Sequence, residues 1–142
     1  MAAGTIPKHL RLEFVTPERA IVTEDVDEIE VPGEDGYFGV LPGHAPLLAA
    51  LRPGEMWLRK GPDKTYAFVG GGFVEVLPDR VTILAQVAER AEDIDTQRAE
   101  AAKRRAEDRL ARPTADIDAE RARIALIRAL ARLQISERIR RH

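Results

Sequence analysis

Val81-Thr82-Ile83-Leu84-Ala85-Gln86-Val87-Ala88-Glu89-Arg90-Ala91-Glu92-Asp93-Ile94-Asp95-Thr96-Gln97-Arg98 is the stretch in which the chain changes its period. Before it, short runs rich in β-branched and aromatic residues alternate with turn-forming residues. After it, alanine, arginine and glutamate dominate, and from Glu92 to His142 there is no glycine and a single proline, Pro113. Such a switch predicts strands on one side and helices on the other.

Upstream, Leu10, Leu12 and Phe14 alternate with Arg11 and Glu13, and Ile29 and Val31 flank Glu30, the period of a half-buried strand. Tyr66–Val69, Phe73–Leu77 and Val81–Val87 continue the series. Pro32-Gly33, Asp35-Gly36, Pro42-Gly43, Pro53-Gly54, Gly61-Pro62-Asp63 and Pro78-Asp79 punctuate it. Residues 1–88 are therefore expected to form an antiparallel β-sandwich or barrel. Residues 89–142 are expected to form a C-terminal antiparallel two-helix hairpin. Asp93 is the expected cap of the first helix, with Asp95 in its first turn, and that helix should fade near Leu110–Arg112 ahead of Pro113. Asp116 is the expected cap of a second helix of similar length. Ile94 and Leu110 are the main apolar anchors of the first helix, so its packing energy is small and the hairpin should be able to move.

At about 100° per residue, Arg128 and Arg132 fall within about 20° of Arg121 on the second helix, with Ala125 between them. Leu126, Ile127, Leu130 and Leu133 form the opposite, core-facing side; Arg123 falls among them, against the pattern. On the first helix Asp95, Arg98, Ala102 and Arg105 share an arc of about 80°. Two arginine stripes separated by alanines leave room for a bulky anion, and guanidinium forks bind phosphate oxygens in pairs. The same stripes also fit a plain solvated face.

The charge distribution is uneven. Residues 1–88 carry 8 Lys and Arg against 13 Asp and Glu, and residues 89–142 carry 14 against 11. An acidic front and a basic tail imply different partners. With no cysteine and three scattered histidines, His9, His44 and His142, thiolate chemistry is excluded and a metal site has little to draw on. No apolar run reaches the roughly 20 residues of a membrane span, and the N-terminus lacks a signal-peptide pattern, so a soluble, cytoplasmic chain is expected. Gly70-Gly71-Gly72 lacks the lysine of a phosphate loop and reads as a bulge or bend. His44 has no serine–carboxylate partners for nucleophilic catalysis, and Glu89 and Asp95, with arginines nearby, read as structural or ligand-binding groups.

Two segments carry a family resemblance. Gly33-Glu34-Asp35-Gly36-Tyr37-Phe38-Gly39-Val40-Leu41-Pro42-Gly43-His44-Ala45-Pro46-Leu47-Leu48, followed by Leu51-Arg52-Pro53-Gly54, resembles the glycine- and proline-rich loop of bacterial F-type ATP synthase epsilon subunits. Ala91-Glu92-Asp93-Ile94-Asp95-Thr96-Gln97-Arg98-Ala99-Glu100-Ala101-Ala102 resembles the start of that family's C-terminal hairpin. The resemblance implies a ten-stranded sandwich and two helices in a non-catalytic rotor subunit. It implies binding to the gamma subunit and the c-ring, with Gly33–Phe38 facing the ring; Tyr37 stands where some relatives carry a carboxylate. It also implies a hairpin that extends toward the alpha and beta subunits of the catalytic head to hinder ATP hydrolysis. The complex would lie at the cytoplasmic face of the bacterial plasma membrane, with no direct insertion of this chain.

Some members bind ATP through Ile or Leu, Asp, two variable residues, Arg and Ala. Here that pattern is Ile94-Asp95-Thr96-Gln97-Arg98-Ala99. The further ligands implied by the resemblance are Glu89, Arg105, Arg128 and Arg132. The resulting expectation is ATP as a regulatory ligand of Glu89, Asp95, Arg98, Ala99, Arg105, Arg128 and Arg132, with no obligatory metal, no required cofactor and no catalytic residue. An epsilon-type subunit that docks without nucleotide is the alternative. A cationic module for nucleic acid is disfavoured by the acids among the bases and the absence of a stacking aromatic in the tail.

Overall fold

The computed structural model describes residues 5–112 and 116–140. Eight strands come first: β1 (Leu10–Val15), β2 (Ala20–Val26), β3 (Glu28–Gly33), β4 (Gly36–Val40), β5 (Leu47–Lys60), β6 (Asp63–Val76), β7 (Arg80–Ala85) and β8 (Ala88–Arg90). A 3-10 turn (Ala91–Asp93), α1 (Thr96–Ala111) and α2 (Asp116–Arg140) follow. The hydrogen-bonded order is β2-β1-β7-β6-β5-β3-β4, with β8 added to β6. The pairings are antiparallel except β1 with β7, which is parallel, so the sandwich is mixed rather than purely antiparallel.

Alternation in the sequence becomes alternation in burial. Leu10, Leu12 and Phe14 are fully buried while Arg11 points outward, and Ile29, Val31, Val74, Val76, Val81 and Ile83 join them in one core. Among the described residues eight strands are seen where the resemblance implies ten; β5 and β6 each run unbroken through 14 residues. They stay in register from Leu47↔Val76 to Lys60↔Asp63. The triple glycine lies inside β6, where the strand changes partner: residues 67–69 pair with β8 and residues 72–76 with β7. Gly71 and Gly72 take φ of 100° and 138°, and a Cβ on Gly72 would collide with the Leu84 carbonyl. Only glycine lets one strand turn this corner so close to its neighbour.

The far end of β5 is tied by Asp27. Its Oδ1 lies 3.0 Å from His9 Nδ1, and its Oδ2 accepts from the Gly61 amide at 2.6 Å. The Gly61 amide chiefly, then His9 and Arg59, hold this carboxyl below its ordinary value.

The hairpin differs from the expected one in three respects. Asp95, not Asp93, is the cap of α1, accepting from the Arg98 amide at 3.1 Å, and Asp93 belongs to the preceding 3-10 turn. The helices are unequal, 16 and 25 residues, because the last turns of α2 run on across the sandwich. The core face of α2 keeps only part of the expected side: Leu126 and Leu133 are half-buried, whereas Ile127 and Leu130 are 46% and 45% exposed. Buried instead are Ala122 and Ala129, which share the heptad spacing of the buried Ala99 and Ala106 on α1. Small side chains at a seven-residue repeat let two helices approach closely, and that geometry outweighs the pull of the larger residues. Arg123 thus ceases to be an anomaly; it is exposed and paired with Glu120. The expected fading of α1 is observed, since the helix ends at Ala111. The break at Pro113 lies outside the described residues, as does the side chain of Asp116.

Two outcomes follow for stability. A lowered native pKa stabilises above the unfolded value, so Asp27→Asn should reduce the midpoint of thermal unfolding at neutral pH. The difference from the parent should close as pH falls below 3.8 and through the lowered native value. Enlarging the helix contact with Ala129→Leu should destabilise the hairpin by about 1–3 kcal/mol. Ile127→Gln should stay within about 0.5 kcal/mol, both read from the melting of the helical circular-dichroism signal.

Candidate functional site

Three strands form a row on the outer face of the sandwich. Glu55 of β5 pairs in register with Phe68 of β6, and Phe68 with Glu89 of β8, giving acid, aromatic and acid side by side. The C-terminal half of α2 lies across this row. Arg132 Nε donates to Glu89 Oε1 at 2.6 Å with its guanidinium 4.3 Å from the Phe68 ring centroid. Ile135 packs with Phe68, Ala91 and Ile94 in a second, smaller core. Arg138 Nε donates to Glu55 Oε2 at 2.6 Å, and this bond, above other causes, raises the Arg138 pKa. The return of α2 to Ile94 makes the helices antiparallel.

Beside the Glu89 end of the row opens a cleft of about 490 Å³, within the size range of small-molecule sites. β8 and the segment before it supply Val87 and Glu89, the 3-10 turn supplies Asp93, and α2 supplies Arg132. Asp95, Arg98, Ala99, Ala102 and Arg105 come from the cap and first turns of α1. Of the seven expected ligands, six are therefore brought together. Arg128 is not among the lining residues; it lies one turn before Arg132, half-buried, with its Nε buried and without a hydrogen-bond partner.

The electrostatics differ from a bare cluster of cations. Three guanidinium groups, Arg98, Arg105 and Arg132, face three carboxylates, Glu89, Asp93 and Asp95. Arg132 is already paired, and Asp95 is engaged as the helix cap. Arg98 and Arg105 are exposed and project from α1 without a described ion pair, so they are the cations available to an incoming anion. Among the described residues no group of three or more His, Asp or Glu side chains is arranged to hold a metal ion, and no helix is long and apolar enough to cross a membrane.

Sequence reasoning passed over Asp93 as a cleft residue, since it was assigned the cap that Asp95 provides. It also passed over Glu55 and Arg138. An acid beside the core strand run Met56–Leu58 is a signal for a charged partner, but the partner's place depends on the strand register. Gly33–Phe38 forms the β3–β4 turn, where Tyr37 is exposed beneath the Arg52 guanidinium, 5.6 Å from its ring centroid. His44 Nδ1 lies 2.6 Å from its neighbour's carbonyl, Ala45 O.

Comparison with known proteins matches both halves of the chain. The model for the ATP synthase delta/epsilon chain beta-sandwich domain covers residues 9–91, and that for the delta/epsilon chain long alpha-helix domain covers residues 92–137. The ATP synthase epsilon chain of Nitratidesulfovibrio vulgaris (strain DP4) is 49% identical over 128 residues, 90% of this chain and 96% of the relative. A chain of the Euglena gracilis mitochondrial ATP synthase, solved with OSCP, F1 and c-ring, superposes with a TM-score of 0.82 at 24% identity, covering 100% of this chain and 87% of that one. A chain of the Tetrahymena thermophila mitochondrial ATP synthase central stalk and c-ring gives 0.62 at 12% identity, covering 89% and 96%; both structures speak to the fold alone. Sandwich, hairpin and sequence together define a non-catalytic subunit of an ATP synthase. The chain belongs to the ATP synthase delta/epsilon chain family, and its bacterial relatives are epsilon chains.

Truncating the contact under α2 tests how the helices are held. Ile135→Ala should weaken hairpin docking by about 2–5 kcal/mol, seen as faster tryptic cleavage within α2 while the sandwich fragment persists.

Proposed function

We propose that this chain is a central-stalk subunit whose sandwich, residues 1–88, seats on the gamma subunit and c-ring, and whose hairpin, residues 89–142, is a mobile regulatory element responsive to ATP. The observation that carries the nucleotide reading is the cleft in which Glu89, Asp95, Arg98, Ala99, Arg105 and Arg132 meet from three separate parts of the chain. Arg98 and Arg105 receive the phosphates as charge-assisted donors. Val87 and the alanines offer apolar surface to the base, and the carboxylates of Glu89 and Asp95 accept from its exocyclic amine or orient the arginines. Arg128, with an unpartnered buried donor one turn from Arg132, joins when the phosphates approach. No metal is required in this arrangement.

ATP bound to both helices favours the folded hairpin, because a ligand shifts a conformational balance by its differential affinity for the two states. When ATP is scarce the hairpin extends, and its arginine-rich end reaches acidic surface on the alpha and beta subunits of the catalytic head, hindering hydrolysis. This places the chain at the cytoplasmic face of the bacterial plasma membrane as a peripheral component. The balance of three acids against three arginines favours a second reading, in which the hairpin is held by protein contacts alone and docks without nucleotide.

Calorimetry with ATP separates the two. Arg98→Ala with Arg105→Ala removes two exposed cations that hold no described ion pair, so the fold should persist. Affinity should fall by about a hundredfold or more, at about 1.5–3 kcal/mol per charged hydrogen bond. Unchanged heats, or no heat from the parent protein, would leave docking without nucleotide as the function.

A further inference from the structure

Glu55 is the one buried charged residue among those described. Its carboxylate is 10% exposed and accepts from Arg138 across 83 positions of sequence, so this bond joins the sandwich to the end of the chain. The Arg138 guanidinium also lies 5.0 Å from the Tyr66 ring centroid. Neither Glu55 nor Arg138 lines the cleft at the other end of the row. A desolvated carboxylate with a cationic partner behaves nearly as an all-or-none contact, because removing the partner leaves a charge that water cannot fully reach.

We propose that Glu55 and Arg138 form a clasp that holds the end of α2 on the sandwich independently of the Glu89–Arg132 pair. The geometry gives the two pairs separate surroundings: Phe68 and Ile135 stand between them, five helical residues lie between the arginines, and only Arg132 reaches the cleft. The consequence is functional. Arg132 can exchange Glu89 for an anion while α2 stays seated, since the clasp persists beyond Ile135. That consequence rests on the ATP reading; the clasp itself does not.

Amide hydrogen exchange on the full chain without nucleotide tests it. Glu55→Gln should speed exchange of the α2 amides from Ala129 to Glu137 by about ten- to a hundredfold, the range of a charge-assisted hydrogen bond. Amides of β1 and β7 should keep their parent rates. Arg138→Gln should match it, and the double variant should be no worse than either single one, since neither charge is then stranded. In an Arg132→Gln background, Glu55→Gln should retain its full effect. Parent-like exchange in α2, equal acceleration of sandwich and helix, additivity of Glu55→Gln with Arg138→Gln, or loss of the effect beside Arg132→Gln would each overturn the proposal. If Glu55→Gln fails to fold, Arg138→Gln decides, its side chain being 41% exposed near the helix end. Because no nucleotide is added, the outcome is separate from that of the ATP calorimetry.

Discussion

A row of three residues on the outside of the sandwich determines where the helices go. Glu55, Phe68 and Glu89 sit side by side on β5, β6 and β8, and α2 answers with Arg138, Ile135 and Arg132. Burial of Phe68 and Ile135 supplies the non-directional attraction, and the flanking ion pairs fix the position of the helix along the row. The cleft is a by-product of that seating. Were α2 to lie elsewhere, Arg132 would not face Asp95 and Arg98, and α1, which is packed chiefly on α2, would have no support.

The two parts of the chain are held by different amounts of the same force. The sandwich core joins residues from β1 to β8, many of them large and fully buried, while the core beneath α2 centres on Phe68, Ala91, Ile94 and Ile135. Between the helices the buried residues are mostly alanines, which gain close contact but remove little apolar area from water. Opening free energies within one protein differ by region, and elements with few buried apolar contacts open first. The smaller core beneath α2 is therefore expected to open before the sandwich core does, which is what the proposed regulatory arm requires.

Much of this was legible in the sequence. The period of two in Leu10–Phe14 gave inward and outward residues correctly, because strand burial follows sequence parity and needs no knowledge of the partner strand. The glycine-free tail announced helices for an equally local reason. Six cleft residues were recoverable from the resemblance, and four of them, Asp95, Arg98, Arg105 and Arg132, stood out on helical wheels as well. What could not be read was set by tertiary contact. The buried side of α2 is decided by Ala99 and Ala106 on another helix, so ranking α2 residues by their own hydrophobicity chose Ile127 and Leu130 wrongly. The cap of α1 moved from Asp93 to Asp95 because a 3-10 turn intervened, and cap positions two residues apart look alike in sequence. Glu55 belongs with Arg138 only once β5, β6 and β8 are in register.

Arg132 sits where the two sets of contacts meet, and its position constrains what any ligand of the cleft can do. Its guanidinium is shared between Glu89, the Phe68 ring and the open cleft. An anion gains from it only the difference between its own contact and the one Glu89 already makes. Moving a two-state element from one part in a hundred to ninety-nine requires about 5.5 kcal/mol of differential binding, more than a single exchanged ion pair supplies. The remainder would have to come from Arg98 and Arg105, which α1 presents without an ion pair among the described residues. On the proposed reading, nucleotide control of this hairpin would consist in joining α1 to α2, with Arg132 on the sandwich side and Arg98 and Arg105 as the source of the gain.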